Sequence, residues 1–135
     1  MLNNIYQAVK GRLNPIEKSI EWYNVQYEGT MINETGFFIE FPEILKFEAT
    51  SKQMRRAPVK LRLHVYSKAM QTHDGITDTA VQEHEATALE ALGLVDGFTP
   101  ANNACSRLTF TAWQHWHRWK GWMVTLIDFE AKKEL

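Results

Sequence analysis

Val59-Lys60-Leu61-Arg62-Leu63-His64-Val65-Tyr66 places an aliphatic side chain at every second position. Successive side chains of an extended chain point to opposite faces. Val59, Leu61, Leu63 and Val65 therefore share one face, and Lys60, Arg62, His64 and Tyr66 share the other. A helix would scatter these aliphatics around its axis. The segment reads as a β-strand with one buried face, the other being wet or held against a partner.

Upstream, Gly36–Phe41 repeats the same period, with Phe37, Ile39 and Phe41 on one face and Phe38 and Glu40 on the other. Pro42 interrupts it, and Leu45, Phe47 and Ala49 alternate again in a third strand. Ser51–Ala57 follows as a basic loop carrying Lys52, Arg55 and Arg56. Further upstream, Ser19–Glu28 is aromatic and β-branched and predicts the first strand, joined to the second by a polar connection from Gly29 to Gly36. Leu2, Ile5, Tyr6, Val9 and Leu13 fall at helical spacing, with Asn3 or Asn4 available as the cap. Proline disfavours helical geometry in the residue before it, so that helix is expected to end near Asn14-Pro15.

Downstream, Asp74-Gly75 marks a turn and a second helix begins around Thr77–Thr79, where Thr79 and Gln82 match a capping box. Val81, Glu85, Ala88, Leu89 and Leu92 lie along one side of this helix, and Gly93 serves as its stop. A polar link, Asp96–Asn103, leads into two strands, Ser106–Trp119 and Gly121–Glu130, turning at Lys120-Gly121. Ala131–Leu135 is left as a short charged tail. The order is helix, four strands, helix, two strands, without an internal repeat. Its 135 residues suit one domain, 1–135. The expected fold is α+β: a two-layer sandwich, mostly antiparallel sheet, with two helices packed on one face.

Composition narrows the functional classes. A hydrophobic share of 44% with 23% charged residues is that of a globular chain, so disorder is not expected. The formal net charge of −1 gives no global pull toward nucleic acid or an anionic membrane, and it favours self-association over mutual repulsion. Cys105 is the single cysteine, which rules out an intramolecular disulfide. Met-Leu-Asn-Asn lacks a basic and then apolar leader, and no apolar run approaches the ~18 residues needed to span a bilayer. A reducing, aqueous compartment with no membrane partner is therefore expected.

The densest concentration of functional side chains is Thr111–Trp122, with Trp113, His115, Trp116, His117, Arg118, Trp119 and Lys120. On a strand, His115 and His117 share a face and can touch one metal ion. A tetrahedral site needs further ligands, and no spacing selects His64, His73 or His84 for that part. Surface or interface histidines are the plainer reading, and no metal or cofactor is expected. Aromatics interleaved with cations can also stack bases and grip phosphates, although the neutral balance and the absence of an RNA-binding signature weigh against this. A hairpin whose aromatics pack partly on the core and partly on another chain fits the preference of interfaces for Trp, Tyr and Arg. His84 has Glu83 and Glu85 as sequence neighbours, but adjacent helical residues do not face one another, so it reads as a histidine at the helix edge. No Gly-rich phosphate loop, nucleophile elbow or paired metal motif is present, and catalysis is not expected.

In order, a short amphipathic helix, Ile20-Glu21-Trp22-Tyr23-Asn24-Val25-Gln26-Tyr27, Gly36-Phe37-Phe38-Ile39-Glu40-Phe41-Pro42, Val59-Lys60-Leu61-Arg62-Leu63-His64-Val65, a second helix and a closing hairpin ending Val124-Thr125-Leu126-Ile127-Asp128-Phe129 resemble phage tail-terminator and neck (head-tail joining) proteins. The likeness covers most of the chain as an order of elements. It implies a virion structural protein made in the bacterial host cytoplasm. That protein forms a ring, commonly a hexamer, that caps the tail tube and meets the head-tail connector protein. DNA passes through such a ring without sequence-specific binding. Interface residues are then expected at Lys52, Arg55 and Arg56 and at Trp113, Trp116, Arg118 and Trp119. The alternative is an α+β module that binds nucleic acid or a small ligand.

Overall fold

A computed structural model describes the chain except residues 25–34, 69–70, 73–74, 77 and 117–120, with backbone alone at 71, 72, 75, 76 and 116. The alternating segment forms the centre of the longest strand, β4 (Arg55–Lys68). Along its whole length β4 pairs antiparallel with β8 (Trp122–Glu134), in register from Arg56↔Glu134 to Lys68↔Trp122. The other edge of β4 holds β2 (Gly36–Glu40) and, nearer its start, the two-residue β3 (Glu48–Ala49), both antiparallel. β1 (Ser19–Trp22) runs parallel to β2, and β7 (Thr109–Trp116) closes the far side against β8. The sheet order is β1-β2-β4-β8-β7, with β3 beside β4. A separate small hairpin pairs β5 (Gln71–Thr72) with β6 (Gly75–Ile76).

Two helices, α1 (Leu2–Leu13) and α2 (Asp78–Val95), lie on one face of this sheet. Ile5, Tyr6, Val9 and Leu13 of α1 meet Phe37, Ile39, Val59, Leu61, Leu63, Val65, Ile127 and Phe129 in the main core. The expected two-layer α+β sandwich with a mostly antiparallel sheet is what forms, β1 against β2 being its parallel pair. At ~25 cal/mol per Å² of apolar surface, each fully buried Leu, Ile or Phe contributes about 1.5–3 kcal/mol. The odd-numbered face of β4 is accordingly the main anchor of both layers.

The opposite face of the sheet divides into two regions. Phe38, Tyr66, Trp122, Val124 and Leu126 make a second buried cluster at one end, against which Tyr23 packs. Tyr66 is 1% exposed, so this part of the expected wet face is a small core of its own. Gly36 allows that packing. A Cβ there would lie 2.7 Å from the Tyr66 ring and 2.9 Å from the Ser19 carbonyl oxygen, closer than real Cβ contacts come.

Several boundaries differ from the pattern reading. α1 starts at Leu2 with Met1 as its N-cap and no side-chain cap, so neither Asn3 nor Asn4 fills that position. The third strand shrinks to Glu48–Ala49, because Phe41 and Leu45 fold onto the core and draw the intervening chain away from the sheet. Arg55 and Arg56 begin β4 and do not belong to a loop. Gly93 sits inside α2; the turn after the helix is instead made by Gly97 at φ +81°, a conformation glycine adopts without steric cost. Residues 131–134 are the last part of β8, held by β4, and not a tail. The continuation of the first strand over Val25–Glu28, the connection that follows, Asp74 of the turn and Thr77 lie outside the described residues.

Candidate assembly surface

α2 packs through His84, Ala88, Ala91 and Val95, an i, i+4, i+7, i+11 stripe. Val81 and Leu89, placed on the packed side by the sequence pattern, are 42% and 53% exposed. His84 consequently lies at the centre of the buried face and not at its edge. Its Nδ1 is 2.7 Å from the Ser67 hydroxyl of β4 and its Nε2 is 2.8 Å from the Thr125 hydroxyl of β8. One ring nitrogen of a neutral imidazole donates and the other accepts, and a hydroxyl can do either, so both bonds form together. His115 of β7 adds an edge-to-face contact, ring centroids 6.0 Å apart, and its Nδ1 is 3.5 Å from the same Thr125 hydroxyl.

On the rest of the face opposite the helices, the cations of β4 are flanked by acids from its neighbours. Arg62 donates from Nε and Nη2 to the two carboxylate oxygens of Asp128, at 2.8 and 3.1 Å. Lys60 lies 3.7 Å from Asp128 and 3.5 Å from Glu43. His64 Nε2 is 2.9 Å from Glu40, and its ring stacks on Tyr23 at 4.4 Å. Burial alone pushes the Asp128 carboxyl up, but the hydrogen bonds and charge of Arg62, with Lys60, outweigh it and hold the group below the usual carboxylate range. The same hydrogen bond raises the Arg62 guanidinium. Burial pushes the Cys105 thiol up to about 11, so it stays protonated at neutral pH.

The residues expected at an interface fall in different settings. Lys52 is exposed in the bend before β4. Arg55 exchanges both backbone hydrogen bonds with Leu135, at 2.9 Å each. Arg56 donates from Nε to Glu134 at 3.0 Å. Trp113 is half-buried against the main core, and Trp116 ends β7. Arg118 and Trp119 lie outside the described residues, as do His73, His117 and Lys120. Of the proposed metal ligands, His84 comes beside His115, whereas His64 faces the other side of the sheet. Among the described residues no three His, Cys, Asp or Glu side chains group so as to hold a metal ion. Nor is any helix there long and apolar enough to cross a membrane. Sequence reasoning weighed His84 only as a metal ligand or a helix-edge histidine, and it did not single out the Arg62–Asp128 pair. Opposite charges on alternate residues of two long strands, Lys60 and Arg62 against Asp128 and Glu130, were the available signal for the second.

These features define a two-layer α+β domain whose polar groups tie its layers and strands together. The same fold occurs in a chain of the virion of a native gene transfer agent (GTA) particle, with a TM-score of 0.69 and 14% identity over 96% of this chain and 94% of that one. At that identity the likeness is one of fold. No protein-family model matches the sequence, and no curated protein matches it.

Proposed function

We propose that this protein is a structural component of a phage-like virion, a tail-terminator or neck protein that forms a ring on the tail tube and joins it to the head-tail connector. The fold shared with a virion chain over nearly the full length of both carries the reading. The order of elements that resembles tail-terminator and neck proteins supports it independently. The ring is six-fold, works by assembly and not by catalysis, and lets DNA pass without reading its sequence. Lys52, Arg55, Arg56, Trp113, Trp116, Arg118 and Trp119 contribute to its contacts with copies of itself and with the tube.

The test is light scattering behind size-exclusion chromatography, across protein concentration and with tail-tube protein added. A closed oligomer, alone or on the tube, is expected. Alanine at both Trp116 and Arg118 should weaken it while the monomer stays folded. A chain that stays monomeric in both conditions refutes the ring.

A further inference from the structure

α2 turns His84, Ala88, Ala91 and Val95 to the core and leaves its other side to the outside. There Val81, Glu85 and Leu89 follow at four-residue steps, so they line up along the axis over about 12 Å. Val81 and Leu89 are 42% and 53% exposed; Glu85 is exposed between them, and exposed Glu90 follows. The helix carries four acids, Asp78, Glu83, Glu85 and Glu90, and no lysine or arginine. Among the described residues neither Glu85 nor Glu90 enters an ion pair.

The opening of β4 carries the converse. Lys52 is exposed in the bend between β3 and β4, and Met54 is 43% exposed. Exposed Arg55 begins β4, its backbone tied to that of Leu135, which is 60% exposed. Arg56 meets Glu134 and stands opposite Glu48 in register, whereas Lys52 and Arg55 enter no ion pair among the described residues. Of the seven large hydrophobic side chains exposed among the described residues, these two surfaces hold four, two on each. Single exposed apolar residues are ordinary; here they are grouped, each group beside unanswered charges of one sign.

We propose that α2 of one copy docks on the β3–β4 bend of the next, Val81 and Leu89 against Met54 and Leu135, and Glu85 and Glu90 against Lys52 and Arg55. Complementary charge selects a second copy as the occupant, because each surface finds its counterpart on the same chain. The two surfaces differ, so the contact is heterologous, and repeated rotation closes it into a ring. This rests on the ring reading above and names the contact that builds it. Opposite charge orients the encounter, while the apolar side chains supply area removed from water.

The experiment uses the full chain in two charge-reversed forms, one with Glu85→Lys and Glu90→Lys, the other with Lys52→Glu and Arg55→Glu. All four side chains are exposed, and circular dichroism checks that each form is folded. Where a double change disturbs the fold, Glu90→Lys and Lys52→Glu alone are read in the same way. Each form by itself places like charges across every contact. Its midpoint concentration of assembly should rise at least about fivefold, the factor corresponding to ~1 kcal/mol for an exposed pair. Mixed in equal amounts, the two forms alternate around an even-numbered ring and put opposite charges back across every contact. The midpoint should then return to within about twofold of the native chain. Light scattering follows assembly, alone or on tail-tube protein, in the condition where the native chain assembles. Forms that assemble as well as the native chain overturn the contact and leave the ring standing. So does a mixture as weak as its parts, which assigns the two surfaces to other occupants, the tail tube among them. A native chain that stays monomeric, alone and with tail-tube protein, overturns both.

Discussion

Replacing His84 with alanine tests the claim that one imidazole fastens α2 to the sheet. His84 is 4% exposed, and its two ring nitrogens serve Ser67 and Thr125, themselves buried. After truncation the nearest side-chain alternatives are Thr35 for Ser67 and His115 for Thr125, each at 3.5 Å and too long for a full hydrogen bond. Stranding a buried hydroxyl costs about 1–3 kcal/mol, and the vacated ring volume adds a cavity term, so about 3–5 kcal/mol is expected in total. That is a large part of the ~5–15 kcal/mol that holds a domain folded. Urea unfolding followed by circular dichroism should show it as a midpoint lowered by ~2 M if the slope is ~2 kcal/mol/M. The combined variant His84→Leu, Ser67→Ala, Thr125→Val removes both sides of each bond and refills the volume, so it should recover about 2 kcal/mol over His84→Ala. A loss below ~1 kcal/mol, or a combined variant no better than alanine alone, would refute the reasoning.

Two further outcomes are expected. Asp128→Asn removes the bidentate partner of Arg62 and should cost about 1–3 kcal/mol at pH 7 by chemical denaturation. Because its folded carboxyl lies below the usual range, the native pair stabilises above that range and is lost as pH falls through the lowered value; the variant should show a shallower loss of stability with acid. On α2, Ala88→Leu should cost about 1–3 kcal/mol by overpacking a fully buried site, whereas Leu89→Lys should leave the melting temperature within the range of a neutral surface change, about 0.5 kcal/mol.

The sheet was legible because its inner strands bury a whole aliphatic face, and period two admits one reading at Val59–Val65 or Phe37–Ile39. α2 was not, because the helix approaches closely through Ala88 and Ala91 while its larger Val81 and Leu89 face outward. Pattern reading follows the largest apolar side chains, and here alanine and histidine form the contact stripe. The strand ends were hidden for a related reason: residues 131–134 carry Lys132, Lys133 and Glu134, which look like a tail until Arg56 and Glu134 pair across the register. His84 needed both long-range partners, which lie 17 and 41 residues away, before its role was visible. The aromatic hairpin gave the weakest guidance. Trp113 and Trp122 are committed to the two cores, so the aromatic density of that segment serves folding at these positions and not an interface alone.

Net charge taught least where it was summed and most where it was placed. A formal −1 permits two opposite arrangements, charges mixed everywhere or charges sorted by region. The sheet face opposite the helices is of the first kind: Arg62 and Lys60 share Asp128, Glu43 stands beside Lys60, and Arg56 meets Glu134. A polyanion approaching that face meets cations whose charge is already answered a few ångströms away, and screening removes most of what remains beyond ~8 Å. On this face near-neutrality therefore comes from local cancellation. Charges paired in this way add little long-range attraction, so added salt should leave the fold, which rests on two apolar clusters, nearly unchanged in stability.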